Sequence, residues 1–297
     1  MDFNTALAPS GERPAQVKRL IDGWSIEVLP RTAAKIADFR QLLPAGTNIF
    51  LAHVDGTPLE DMVSTARRLC REGFVVTPHI PARSIENRQS LKDLLQRYRD
   101  EADMRRALLL AGGASSPRGE FSDSFDLIET GFFDRAGFEQ LHVAGHPEGN
   151  RDIQADGGHD LIDNSLLRKQ ALGERSGCRI VISTQFAFDS NAILAWSKRI
   201  ADLGVDLPVH VGLAGPAKLQ TLIKYAITCG VGPSLKVLQR RAMDVRRLLL
   251  PYEPTELALE LERYKQGHPE SLIEQFHLFP LGGIEAAVTW AKRQQAS

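Results

Sequence analysis

Short apolar runs alternate with longer amphipathic stretches along most of the chain. The runs are rich in Val, Ile and Leu and are too short to be helices, whereas the longer stretches carry apolar residues at helical spacing. The sequence predicts eight strands, at Trp24–Leu29, Asn48–Val54, Phe74–His79, Ala107–Ala111, Gln140–Ala144, Arg179–Thr184, Pro208–Gly212 and Leu272–Phe279. The predicted helices between them include Leu59–Glu72, Ser90–Asp103, Asn191–Leu203 and Lys218–Thr228.

The alternation of strands and helices indicates parallel βαβ units, which form either a closed barrel or an open, doubly wound sheet. The open dinucleotide-binding sheet has a Gly-x-Gly-x-x-Gly motif after its first strand, but the first strand here ends in EVLPRT. The strand count therefore favours an α/β fold of the (β/α)8 TIM barrel type. We expect one domain over residues 1–297, with an N-terminal extension at 1–20 and extra helices in Gly232–Gln266 before the last strand.

Composition and charge narrow the functional classes. The formal net charge is −1, and no basic, aromatic-laced segment is present, which argues against nucleic-acid binding. Cys70, Cys178 and Cys229 are far apart, so we expect neither a disulfide framework nor a zinc site. The chain has no H-E-x-x-H or G-x-S-x-G motif, so we expect no metal and no serine hydrolase. No apolar run reaches the length of a membrane span and no signal segment is evident, so we expect a cytoplasmic protein with no membrane partner.

The active site of such a barrel lies at the C-terminal ends of the strands. Several polar groups converge there, which suits a large polar cofactor but would also fit any barrel enzyme. The loop-like segments Arg83–Ser90 and Gly112–Ser124 are where a lid or a ligand-binding loop is expected. The strand ends give Glu27, His53, His79, Gly112–Gly113, His146–Pro147–Glu148, Thr184–Gln185 and Gly212–Leu213.

Five segments together resemble the methylenetetrahydrofolate reductase family, in its FAD-dependent, bacterial single-domain form. Trp24–Thr32 (WSIEVLPRT) is similar to the first-strand motif of that family, and Thr77–Ile80 (TPHI) to the third-strand motif. Val143–Asn150 (VAGHPEGN) is similar to the fifth-strand motif, and Ser183–Asp189 (STQFAFD) to the sixth. Phe276–Phe279 (FHLF) resembles the last-strand motif. Each match is weak alone, but they occur in order, at barrel spacing, over nearly the whole chain.

The resemblance implies a flavoenzyme of one-carbon metabolism. Members of the family bind FAD non-covalently, accept hydride from NADH or NADPH, and pass it to the methylene carbon of 5,10-methylenetetrahydrofolate, forming 5-methyltetrahydrofolate. In such an enzyme the flavin carries the redox chemistry, and the protein supplies placement and electrostatics. The implied partners are therefore a folate and a nicotinamide. Family members associate, so a homo-oligomer is expected.

The resemblance assigns substrate roles to four residues. Glu27 falls on the catalytic glutamate that helps protonate the folate N10, and burial is expected to raise its pKa. An ion pair with Arg31 or a helix cap is the alternative role for Glu27. Gln185 falls on the glutamine that hydrogen-bonds the pterin, although neighbouring backbone could also satisfy its amide. Phe186 beside it and Tyr225 are further candidates for substrate contact, and Tyr225 also fits the buried face of its helix.

Four further residues are implied at the cofactor. His79 falls on a histidine at the flavin, or is a core histidine bonded to backbone. His146 stands where the family commonly has Tyr, and Asn150 replaces a usual His. Lys169 is the candidate for a phosphate-contacting lysine, although a lysine on a helix is usually solvated.

The chain departs from the family after the fourth strand. The family has an arginine and an aspartate there, and this chain has Ala111 and Gly113 on either side of Gly112. Unless Glu120 or Asp123 folds back, the carboxylate beside the flavin N1 is missing. Reduced flavin carries negative charge near N1, so the loss should raise the flavin potential and favour oxidation of methyltetrahydrofolate. Adjacent glycines would still allow backbone to approach the flavin ring.

Two other readings remain open. A flavin-free, pterin-dependent barrel could transfer a methyl group to a partner protein. A non-catalytic barrel could only bind folate, since a fold does not dictate an activity.

Overall fold

Eight parallel strands close into a barrel in chain order in a computed structural model of the protein. The structure describes residues 19–150, 153–154, 158–229, 237–239 and 251–296. The prediction of a (β/α)8 TIM barrel is confirmed. The strands are β1 Ser25–Val28, β2 Asn48–Leu51, β3 Val75–Pro81, β4 Arg106–Leu110, β5 Gln140–Gly145, β6 Arg179–Ala187, β7 Val209–Ala214 and β8 Ile273–Phe279.

Helices surround the barrel and connect consecutive strands. Their apolar faces follow the spacing read from the sequence. Asn87 caps the helix that begins at Arg88, and Asp189 caps the helix that begins at Ser190, each by accepting a hydrogen bond from a backbone N–H group. The helices are α1 Pro30–Ala33, α2 Leu59–Arg71, α3 Arg88–Ala102, α4 Ser124–Glu129, α5 Phe132–Arg135, α6 Asp160–Ser176, α7 Ser190–Asp202, α8 Leu219–Thr228, α9 Thr255–Gly267 and α10 Ile284–Ala296. None of the described helices is long and apolar enough to cross a membrane.

Strand residues alternate between an apolar outer layer and a more polar barrel interior. On β1, Ile26 and Val28 belong to the main apolar core between barrel and helices, which also contains Trp196 and Trp290. The intervening residues Ser25 and Glu27 face inward, because successive side chains point to opposite sides of a strand. The interior is thus lined by the residues that carry polar groups.

Some predicted boundaries differ from the observed ones. Strand β6 continues to Ala187, so Gln185 and Phe186 lie within the strand rather than after it. The pairing of β6 with β7 shifts register between Ser183 and Phe186, an irregularity that period-two alternation does not reveal. Helix α9 confirms an extra helix before the last strand, and part of Gly232–Gln266 lies outside the described residues. Most of the predicted extension at 1–20 also lies outside them.

Candidate functional site

Three side chains from three strands meet toward the C-terminal end of the barrel interior. Glu27 comes from β1, His79 from β3 and His277 from β8. The Glu27 Oε2 atom is 3.7 Å from Nε2 of His79 and 3.9 Å from Nε2 of His277. The two imidazoles are 8% and 2% exposed, whereas the Glu27 side chain is 23% exposed. Glu27 is therefore the member of this group, called the Glu27 cluster below, that a ligand can reach most easily.

Packing and one hydrogen bond hold the imidazoles of the Glu27 cluster in place. The Ser25 hydroxyl lies 2.9 Å from Nδ1 of His277, which leaves Nε2 to face the carboxylate. The Phe50 ring lies against both histidines, with ring centroids 4.4 Å from His277 and 6.4 Å from His79. Among the described residues, Nε2 of His79 has no hydrogen-bond partner. A buried ring nitrogen without a partner beside a carboxylate is unusual for a purely structural histidine.

The charge state of Glu27 differs from the expectation drawn from sequence. Burial raises the pKa of Glu27. The contact with His277 and the charges that His79 and His277 can carry lower this pKa by a larger amount, so the net pKa shift is downward. Burial lowers the pKa of His79 to about 4. At neutral pH the Glu27 cluster thus contains a carboxylate and a neutral His79 imidazole. The prediction of a raised pKa for Glu27 was wrong, because the two histidines that lower this pKa come from strands far away in sequence. No Glu27–Arg31 ion pair occurs within salt-bridge distance among the described residues.

Deeper in the barrel, two more histidines form a second buried polar layer. His142 is hydrogen-bonded on both ring nitrogens, to Gln140 at 2.7 Å and to the Ser183 hydroxyl at 2.9 Å. Its ring centroid is 5.3 Å from that of His210, which approaches Glu274 at 3.8 Å. Both ring nitrogens of His142 are satisfied, whereas Nδ1 of His210 has no hydrogen-bond partner among the described residues. Because the two histidines lie on the side away from the mouth, we regard them as structural.

Sequence reasoning placed Glu27 and His79 at the site but missed His277 and Ser25. Both missed residues stand inside the quoted motifs. Ser25 and His277 are direct partners in the pairing of β1 with β8. The first and last strands pair only because the barrel closes. The pairing register of β1 with β8, which brings Ser25 to His277, cannot be read from the local sequence of either strand.

A buried lysine lies near the end of β5. His146 directly follows β5, and Lys169 lies on helix α6, close enough for the two side chains to influence each other electrostatically. The charge of Asp123 also acts on Lys169. Burial lowers the pKa of Lys169 and lowers that of His146 to about 4. Lys169 is 8% exposed, and no carboxylate lies within salt-bridge distance of it in the part of the chain that the structure describes. A buried lysine without a close counter-ion is unfavourable unless a ligand supplies the negative charge.

The loop after β4 is fastened to the loop after β3. The Arg83 backbone N–H donates to the Ala111 carbonyl, and its guanidinium donates to the carbonyls of Ala114 and Ser122 at 2.8 and 3.1 Å. At Gly112 the backbone is left-handed, with φ of 97°, next to Pro81. Gly113 borders open space, since an added Cβ there would meet nothing within 4 Å.

Neither acidic residue of that loop takes the position of the missing aspartate. Asp123 caps helix α4 by accepting from the backbone N–H groups of Phe125 and Asp126. Glu120 is exposed, and its backbone N–H donates to the Glu86 carbonyl. Among the described residues, no hydrogen bond or ion pair brings either carboxylate to Gly113.

The remaining candidates occupy varied environments. The Gln185 Oε1 accepts from the backbone N–H of Phe186 at 3.1 Å, so part of its amide is satisfied locally. Phe186 is 1% exposed and packs edge-on against Phe279, which in turn contacts His277. Tyr225 is 39% exposed, so its predicted alternative place on a buried helix face was wrong.

Asn150 begins the turn that follows β5. Its carbonyl accepts hydrogen bonds from Ile153 and Gln154. Among the described residues, no group of three or more His, Cys, Asp or Glu side chains has the geometry to hold a metal ion.

Comparison with known proteins supports the fold. No protein-family model matches the chain. A protein from Clostridium thermocellum, described as binding two copies of 5-methyl-5,6,7,8-tetrahydrofolic acid, has a similar structure with a TM-score of 0.56 and 12% sequence identity. The match covers 93% of this chain and 98% of that one.

Two dihydropteroate synthases are more distant. The enzyme from Thermus thermophilus has a TM-score of 0.45 and 14% identity, and the match covers 92% of both chains. The enzyme from Anaplasma phagocytophilum has a TM-score of 0.45 and 11% identity, over 92% of this chain and 99% of that one. At these identities the likeness concerns the barrel fold alone.

Proposed function

We propose that this protein is an FAD-dependent oxidoreductase that interconverts 5-methyltetrahydrofolate and 5,10-methylenetetrahydrofolate, and that it favours oxidation of the methyl form. The observation that carries the proposal is the Glu27 cluster, an ionised carboxylate beside two buried imidazoles at the strand ends. It lies where the motif resemblance expects the catalytic glutamate. The Clostridium thermocellum barrel, described as binding methyltetrahydrofolate, supports a folate as the ligand class.

The residues around the mouth fit an FAD molecule. Lys169 is a buried cation without a close counter-ion, and a diphosphate would provide the missing negative charge. His146 lies within electrostatic reach of it. The open space beside Gly113 leaves room for a flat ring against the backbone of Gly112 and Gly113. When bound there, FAD would accept or return the hydride.

Glu27 would handle the proton of the reaction. In the oxidative direction, the methyl group that is attached to N5 loses a hydride and becomes an N5-methylene iminium ion. N10 then attacks that carbon, the new C–N10 bond forms, and N10 releases its proton to the Glu27 carboxylate. A general base must be unprotonated before the reaction, and the lowered pKa of Glu27 meets this requirement. In the reductive direction the same group must first take up a proton.

The loop after β4 also favours oxidation. The position where the resemblance expects a carboxylate is Gly113, and neither Glu120 nor Asp123 replaces it. A carboxylate disfavours the negative charge that builds up on reduced flavin, so its absence should raise the potential. A flavin that takes hydride more readily is suited to withdrawing it from a methyl group. In this direction the nicotinamide partner would be its oxidised form, NAD+ or NADP+, which would take the hydride from the reduced flavin; another oxidant could serve as the acceptor instead.

Anaerobic mixing with methyltetrahydrofolate tests the proposal. The purified protein should be yellow, with the flavin band at about 450 nm, and 5-methyltetrahydrofolate should bleach that band. A colourless protein that takes up no FAD but binds the folate would instead favour the flavin-free methyl-transfer barrel. A yellow protein that binds the folate without bleaching would favour a non-catalytic folate-binding barrel.

A further inference from the structure

Arg83 lies behind the loop that lacks the family's carboxylate. Its guanidinium hydrogen-bonds the carbonyls of Ala114, which directly follows Gly112–Gly113, and of Ser122 near the end of that loop. Its backbone N–H and carbonyl bond to Ala111 and Arg118. Arg83 therefore has a fixed place relative to Gly113, set by four hydrogen bonds.

No carboxylate within the described residues neutralises Arg83 at salt-bridge distance. The other arginine of the loop is different, because Arg118 forms an ion pair with Asp55 at 2.6 Å and both partners are 53% exposed. An exposed, paired charge is screened by solvent and by its partner. Arg83 is half-buried, and its hydrogen bonds go to neutral carbonyls, so its positive charge persists at the loop.

We propose that Arg83 is a positioning residue that raises the flavin redox potential, by holding the backbone on both sides of Gly112–Gly113 and placing a positive charge behind the loop in which the resemblance expects a carboxylate. The inference rests on the proposed function, since it requires FAD against this loop. A nearby cation stabilises the extra negative charge of reduced flavin, and the interaction is stronger in a partly buried site than in water. Arg83 would then supply the positive charge of a loop in which the resemblance expects an arginine at Ala111 and an aspartate at Gly113.

The packing of the loop supports a fixed arrangement. An added Cβ at Gly119 would collide with the Glu86 carbonyl oxygen, so the loop backbone lies directly against the segment that follows Arg83. The Glu120 N–H donates to that same carbonyl. Electrostatic effects of this kind require charges that do not reorganise when the ligand changes its own charge.

A redox titration of the FAD-loaded protein tests the role of Arg83. In Arg83→Gln, the affinity for reduced relative to oxidised FAD should fall on the order of tenfold, and each tenfold lowers a two-electron potential by about 30 mV. Arg83→Lys retains the charge but not the paired hydrogen bonds to the loop, so this ratio should fall clearly less than in Arg83→Gln. Arg118→Gln is the matched control and should leave the ratio unchanged.

If Arg83→Gln does not retain FAD, Ala114→Asp provides the same measurement, because it places a carboxylate beside the guanidinium. It should lower the potential in the same direction. The inference would be overturned if the potential were unchanged in Arg83→Gln or, where that variant does not hold FAD, in Ala114→Asp. It would also be overturned if the potential fell as much in Arg83→Lys or Arg118→Gln as in Arg83→Gln. A wild-type protein that binds no FAD would instead overturn the proposed function, so the two failures are distinguishable.

Discussion

His79 makes the stability of the barrel depend on pH in the mildly acidic range, and its replacement by Gln isolates that effect. Its pKa is about 4 in the folded protein, against about 6.5 in an unfolded chain. Between these values the unfolded chain binds more protons, so the folded state loses stability as the pH falls from about 6.5 to about 4. Each pKa unit corresponds to about 1.36 kcal/mol, which gives about 2 kcal/mol lost by pH 5 and about 3.4 kcal/mol below pH 4.

Urea denaturation followed by tryptophan fluorescence measures this effect. Between about pH 7.5 and 5, the free energy of unfolding should fall by about 2 kcal/mol less in His79→Gln than in wild type. His268→Gln is the matched control, because that imidazole is 52% exposed, and it should follow the wild-type curve. Equal falls in wild type and His79→Gln would refute the argument that a buried neutral imidazole stands beside Glu27. A uniform change in stability would not affect it, since the prediction concerns the difference between two pH values.

Three further substitutions test the site and its loop. Glu27→Gln should slow re-oxidation of the reduced flavin by 5,10-methylenetetrahydrofolate about 100-fold in stopped-flow absorbance, because in that direction N10 must be protonated before the hydride returns. Glu274→Gln, at the other end of the barrel, should stay near wild type. Lys169→Met should weaken FAD binding about tenfold in a fluorescence titration. The same substitution should stabilise the apoprotein against urea, because it removes a buried charge. Lys198→Met, at an exposed lysine, should have neither effect. Gly119→Ala should lower the free energy of unfolding by about 2 kcal/mol in urea, because its Cβ would collide with a carbonyl oxygen; unchanged stability would show that the loop yields freely.

The barrel could be predicted because its outer layer is encoded locally. Residues such as Ile26 and Val28 alternate with polar ones, and each strand is followed by a stretch with helical spacing. The meeting of Glu27 and His79 followed from the same reasoning, since parallel strands that end at one face bring their last residues together. Both inferences depend only on period and order along the chain.

The details that decide chemistry depend on contacts between distant segments. The downward pKa shift of Glu27 arises partly from His277, which is separated from it by nearly the whole chain and is brought near only when β8 pairs with β1. The contacts of Arg83 join two loops whose composition predicts only mobility and turns. The burial of Lys169 was equally invisible, because a lysine in a helix is exposed far more often than not.

Two separate electrostatic features point toward the same reaction direction, and they act on different particles. The ionised Glu27 concerns the proton released by N10, whereas the loop of Arg83 and Gly113 concerns the two electrons that arrive with the hydride. A change at Glu27 should therefore alter the rate and pH profile of flavin re-oxidation by 5,10-methylenetetrahydrofolate while leaving the flavin potential in place. A change at Arg83 should move the potential while leaving the pH profile in place. If either substitution changed both quantities equally, a general loss of structure at the mouth would explain the data better than two independent charges.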